Sequence, residues 1–129
     1  MAEENKKYKI LIVDDDKFLL DMYALKFKEG GFEVEPVLGS IATLEKLKED
    51  NSFDIILMDV VMPSLDGFEL LEEIRKMKLA DKSKIIILSN LGQPSDIEKG
   101  KKLGADGYII KADATPSEVV EKVKKIIEK

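Results

Sequence analysis

The chain has 129 residues, 44% hydrophobic and 36% charged, with a formal net charge of −5, which fits one globular domain spanning 1–129 with a core over about 9–128. It has no cysteine and no histidine, which excludes disulfides, thiol catalysis, Cys- or His-ligated metal and a histidine general base. No apolar run nears the ~18 residues that cross a bilayer, and no basic excess is present to neutralise phosphates, so a cytoplasmic protein without direct nucleic-acid or membrane partners is expected.

The opening segment MAEENKKYK has no signal-peptide apolar stretch. Lys9–Val13 forms a first apolar run, followed by three carboxylates, Asp14, Asp15 and Asp16. Asp16 reads as the N-cap of a helix. Leu19, Leu20, Met22, Tyr23 and Phe27 give that helix a broad apolar stripe, ended by Gly30-Gly31. A second run, Phe32–Val37, leads into Leu38-Gly39-Ser40, where Ser40 is the expected cap of a helix carrying Ile41, Leu44 and Leu47.

The third run, Ile55–Met58, ends at Asp59, and Asp66-Gly67 precede a helix with Phe68, Leu71 and Ile74 inward. The fourth, Ile85–Leu88, runs into Ser89 and Asn90. A short helix opening at Ser95 or Asp96 and reaching Leu103 follows, loosened by Gly100. The fifth run, Tyr108–Ile110, ends at Lys111. In Thr115-Pro116-Ser117-Glu118 the threonine can cap, the proline fits the first helical position and the glutamate completes a capping box. Val119, Val120, Val123, Ile126 and Ile127 are the buried face of that last helix.

Three of the strands are continuously apolar, as in a parallel sheet covered on both faces. Strand and helix alternate five times, which predicts an α/β fold: a doubly wound parallel sheet in a three-layer α/β/α sandwich. Ligands of such sheets bind beyond the carboxyl ends of the strands. There the sequence places Asp14, Asp15, Asp59, Ser89 and Lys111.

Three neighbouring carboxylates raise one another's pKa unless a cation neutralises them, and Mg²⁺, a hard cation with oxygen ligands, suits such a set. A metal and Lys111 would frame a transferring phosphoryl group. Ser89 can donate to a phosphoryl oxygen, and Asp59 at the end of the middle strand is the natural nucleophile, forming an aspartyl-phosphate.

Asp-Asp after the first strand, D-x-x-M-P after the third, Ser after the fourth and Lys after the fifth resemble the receiver domains of two-component response regulators, over roughly Lys9 to Glu128. The resemblance implies a CheY-like, flavodoxin-like sheet of strand order 2-1-3-4-5 with five helices. It implies Asp59 as phosphoacceptor and Ser89 and Lys111 as phosphoryl contacts. Asp15 would bind Mg²⁺ directly, Asp14 through a water, and Asp59 and the backbone carbonyl of Val61 would complete the ligands. Tyr108 occupies the aromatic switch position that moves with Ser89.

The donor would be the phosphohistidine of a sensor histidine kinase or phosphotransfer protein, with helix 1 as kinase-facing surface. Helix 4, strand 5 and helix 5 would form the output surface, toward a downstream target or fused output domain or a phosphorylation-dependent dimer. No output domain is expected within these 129 residues. Such a phosphoprotein is not a conventional enzyme.

One departure is Ala112, where the family usually has a proline, often after a cis bond. A non-proline cis bond costs ~2.5–4 kcal/mol, so a trans or more mobile loop is expected. Val61 and Leu91, two residues past the acceptor and past Ser89, are apolar where the resemblance implies side chains that influence an attacking water, so slow hydrolysis of the phosphoryl group is expected. Three rivals remain. A haloacid-dehalogenase-like phosphatase would use Asp14, Asp16, Ser89 and Lys111, but leaves Asp59 unexplained. A flavodoxin-like FMN carrier conflicts with three carboxylates at a phosphate loop. A pseudo-receiver would keep the fold and never gain a phosphate.

Overall fold

The structure, a computed structural model, describes residues 7–128; most of the opening segment and the final lysine lie outside them. The elements alternate as expected: β1 (Lys9–Asp14), α1 (Lys17–Glu29), β2 (Glu33–Leu38), α2 (Ser40–Glu49), β3 (Ile55–Met58), α3 (Gly67–Lys76), β4 (Lys84–Ser89), α4 (Pro94–Lys102), β5 (Gly107–Ile110) and α5 (Pro116–Ile127). The five strands form one sheet in the order β2-β1-β3-β4-β5, all pairs parallel. β2 lies at the edge, where Pro36, which cannot donate to a ladder, is tolerated.

Each face of the sheet is covered by a helical layer, which explains the unbroken apolar strands. On one side Leu11, Val13, Ile56, Met58, Ile85 and Ile87 meet Leu47 of α2 and Phe68, Leu70, Leu71 and Ile74 of α3. On the other, Ile10, Ile12, Ile55, Leu57, Ile86, Leu88 and Ile109 meet Leu20, Tyr23 and Phe27 of α1 and Val119, Val120 and Val123 of α5. The two sets alternate along every strand, the period of two that a pleated backbone imposes. At the rim opposite the carboxyl ends, Arg75 ties three segments together. It donates to the carbonyls of Gly104 (2.7 Å) and Ala80 (3.4 Å) and pairs with Asp106, which also accepts from the Ile85 N–H at 2.8 Å.

The caps follow the expected chemistry at three helices. Asp16 Oδ1 accepts from the N–H groups of Phe18 and Leu19, while Asp66 with Glu69 and Thr115 with Glu118 form reciprocal capping boxes. Two expectations are corrected. Ser40 is the first helical residue, behind Gly39 at φ 84°, a left-handed backbone that suits glycine. Its hydroxyl instead accepts from the Leu65 N–H (3.2 Å) and donates to the Pro63 carbonyl (3.4 Å). The fourth helix opens earlier than Ser95, with Gln93 as cap, Pro94 first in the helix and Asp96 closing a box. Gly100 has a packing role: an added Cβ would sit 2.9 Å from Ile87 Cδ1 and 3.2 Å from the Tyr108 ring, so its missing side chain lets α4 approach the sheet.

Ile56, in the middle of the central strand, is fully buried, whereas Leu25 on α1 is 56% exposed. Ile56→Ala should therefore lower unfolding free energy by about 2–5 kcal/mol in urea melts with an unchanged m value, and Leu25→Ala by about 0.5 kcal/mol or less.

Candidate functional site

The alternation that builds the two cores also assembles the site. On β1, Ile10 and Ile12 face the layer of α1 and α5, and Asp14 is next in that phase; on β3, Ile55 and Leu57 are followed by Asp59; on β5, Ile109 is followed by Lys111. Parallel pairing with no large offset brings these three ends together. Lys111 Nζ lies 3.1 Å from Asp14 Oδ2 and 3.1 Å from Asp59 Oδ2, with all three side chains largely withdrawn from solvent.

Asp15, one residue out of phase, is exposed, yet carboxylate oxygens of Asp14, Asp15 and Asp59 lie within 4.8 Å of one another. Asp14 Oδ1 accepts the Asp16 N–H at 3.0 Å. Asp59 Oδ1 accepts the Val60 N–H at 2.7 Å and the Val61 N–H at 3.4 Å. Helix α3 is pressed against this turn: the Gly67 N–H donates to the Val60 carbonyl at 2.7 Å, and a Cβ on Gly67 would fall 2.2 Å from the Asp59 carbonyl oxygen.

Burial pushes the Asp14 carboxyl above the ordinary range, while the Asp16 N–H and the Lys111 ammonium pull it down and Asp59 adds repulsion. Burial alone would lower Lys111, but the charges of Asp59 and Asp14 outweigh it and hold the lysine above its ordinary value. The site is therefore a charged lysine between two buried carboxylates, with a third carboxylate at the lip. One ammonium does not neutralise three carboxylates, and their converging oxygens suit a hard divalent cation.

Ser89 and Tyr108 fall in the other phase, toward the layer of α2 and α3. Ser89 is fully buried, and its hydroxyl accepts the Leu91 N–H at 3.2 Å. The Tyr108 hydroxyl donates to the Leu91 carbonyl. The two residues are thus brought together through one backbone residue, while Ser89 makes no hydrogen bond to Asp59 or Lys111 among the described residues. Val61 projects its side chain into solvent, 62% exposed. The Lys111–Ala112 bond is trans and opens a short 3-10 turn over Lys111–Asp113. Asp16 is occupied in capping α1, which removes it from the role a D-x-D phosphatase would require.

Sequence reasoning missed Ser40, which braces the loop after Asp59, and Tyr23, counted only as apolar stripe. Most of the chain matches a known family. Residues 10–124 match the response regulator receiver domain, and the chain belongs to that family. It is 34% identical over 116 residues to regulatory protein VanRc of Enterococcus gallinarum, spanning 90% of this chain and 48% of that one. It is 38% identical over 120 residues to chemotaxis protein CheY of Thermotoga maritima, 92% and 96% of the two chains. The chemotaxis response regulator CheY4 of Vibrio cholerae superposes with a TM-score of 0.85 at 27% identity, covering 94% of this chain and 99% of that one. The chain thus spans about half of VanRc and nearly all of the Thermotoga protein. Receiver domains are signalling modules rather than conventional enzymes, and they bind Mg²⁺ at an acidic site of this kind.

Removing the buried ammonium should expose the repulsion it masks. Lys111→Met in metal-free buffer should lose about 3–5 kcal/mol of stability, and Lys111→Met combined with Asp14→Asn should recover part of that loss. Urea melts of the two variants and the parent check this; strictly additive losses would contradict it.

Proposed function

We propose, from membership of the receiver family, that this chain takes a phosphoryl group from the phosphohistidine of a sensor kinase or phosphotransfer protein onto Asp59. The observation that carries the reading is the position of Lys111 Nζ, 3.1 Å from both Asp14 and Asp59 inside the carboxylate cluster. An oxygen of the Asp59 carboxylate attacks phosphorus, and the donor's N–P bond breaks with its electron pair left on the imidazole. The N–H groups of Val60 and Val61 aim the Asp59 carboxylate from the side of Oδ1. Lys111, already against Oδ2, is placed to follow the new charge onto a phosphoryl oxygen.

Asp15, Asp59 and the Val61 carbonyl would hold Mg²⁺ directly and Asp14 through a water, and the ion would supply positive charge to offset the carboxylates and the phosphoryl group. Ser89 would give up the Leu91 N–H to donate its hydroxyl proton to the phosphoryl group. That frees Leu91, whose carbonyl holds Tyr108, and so links the site to the surface of α4, β5 and α5. We assign the output to that surface, toward a downstream protein, a fused domain or a second copy of the chain.

Incubation with acetyl phosphate and Mg²⁺ should add one phosphoryl group by intact mass, and the gain should vanish without Mg²⁺ or in Asp59→Asn. No gain under any donor would leave a binding module that keeps the fold alone. With apolar Val61 and Leu91 beside the site, the phosphorylated form should be long-lived. Val61→Asn should shorten its half-life about tenfold, one hydrogen bond to the attacking water being worth roughly 1.4 kcal/mol. Equal decay of both proteins in a mass time course would refute the role of these side chains.

A further inference from the structure

Within the buried apolar cluster between the sheet and helices α1 and α5, Tyr23 is the one member with a polar side-chain atom among the described residues. Tyr23 is 5% exposed, and its hydroxyl makes no hydrogen bond to the described residues. No fully buried polar side-chain atom among those residues lacks a partner, so the phenol oxygen is the part of Tyr23 that keeps contact with water. Helix α1 begins at the rim that carries Asp14. Helical side chains lean toward the helix N-terminus, which directs a long side chain in the second turn back to that rim. The electrostatics agree: burial pushes the phenol up, the Lys111 ammonium pulls it down, and the Asp14 and Asp59 carboxylates push it up. The charges acting on Tyr23 are those of the site.

An ammonium has three N–H donors. Two of those on Lys111 go to Asp14 and Asp59, and the third makes no hydrogen bond among the described residues. A phenol hydroxyl accepts as well as donates, and because it is uncharged it does not pull the ammonium back as a further carboxylate would. Resting on the reading of Asp59 as phosphoacceptor, we propose that Tyr23 is a positioning residue for Lys111. Its hydroxyl accepts the third ammonium proton, directly or through one water, as Lys111 turns from Asp14 to a phosphoryl oxygen on Asp59. A hydrogen bond from a charged donor then fixes the remaining direction of the lysine head.

The test is the rate of phosphorylation by acetyl phosphate at saturating Mg²⁺, followed by intact mass in wild type, Tyr23→Phe, Lys111→Met and the double variant. Tyr23→Phe keeps the ring and should melt as wild type does, because the hydroxyl is unbonded before phosphorylation. It should slow phosphorylation by about tenfold or more, the worth of a hydrogen bond to a charged group, and should slow the Lys111→Met protein no further. A wild-type rate in Tyr23→Phe, or the same fold loss in both backgrounds, would overturn the proposal. A lowered melting temperature with unchanged phosphorylation would make the hydroxyl structural and overturn it equally. Failure of wild type itself to gain a phosphoryl group would instead remove the phosphoacceptor reading, and this inference with it.

Discussion

A single buried ammonium set between two buried carboxylates governs the functional end of this molecule. Lys111 holds Asp14 and Asp59 at equal distances, and every element that meets there is aligned by that requirement. The strands that supply the three residues end in the same pleat phase, one residue beyond apolar cores that pack on both faces of the sheet. A slip of one residue in any of them would turn its charge to the opposite layer. The chemistry at the rim and the packing beneath it are two readings of one register.

The arrangement is poised rather than restful. Three carboxylates share one cation, and buried ion pairs of this kind contribute little net stability because desolvation offsets their attraction. Stability comes instead from the two apolar layers, from capped helices and from the Arg75 linkage at the far rim. The rim keeps an excess of negative charge that a divalent cation could relieve.

The proposed function requires that a change at Asp59 reach a surface, and the pleat offers a route. Ser89 and Tyr108 belong to the phase opposite to Asp59 and Lys111, yet both bond to Leu91. Gly100 lets α4 lie so close to Ile87 and the Tyr108 ring that a Cβ there would crowd both. In the proposed function, movement of Ser89 toward a phosphoryl group would release the Leu91 N–H, whose carbonyl also holds Tyr108.

Much of this was legible in the residues, because the strands are pure apolar runs and the acceptor set stands at their ends. Asp16, Asp66 and Thr115 cap as local chemistry predicts. What escaped the sequence depends on tertiary contact. Ser40 looks like a cap, but its hydroxyl serves a loop 23 to 25 residues away. Gly100 looks like a weak point until the strand beneath it is known, and Gly67 shows its need only against the Asp59 carbonyl. Tyr23 fits an apolar stripe, and only the packing of α1 shows that it is buried beneath the rim. The most direct test of the account is a crystal structure grown with Mg²⁺ and beryllium fluoride, a phosphoryl mimic. The account predicts the mimic on Asp59, Mg²⁺ among Asp14, Asp15 and Asp59, and Lys111 turned from Asp14 to a fluoride. Lys111 still bridging Asp14 and Asp59, with nothing bound to Asp59, would contradict it.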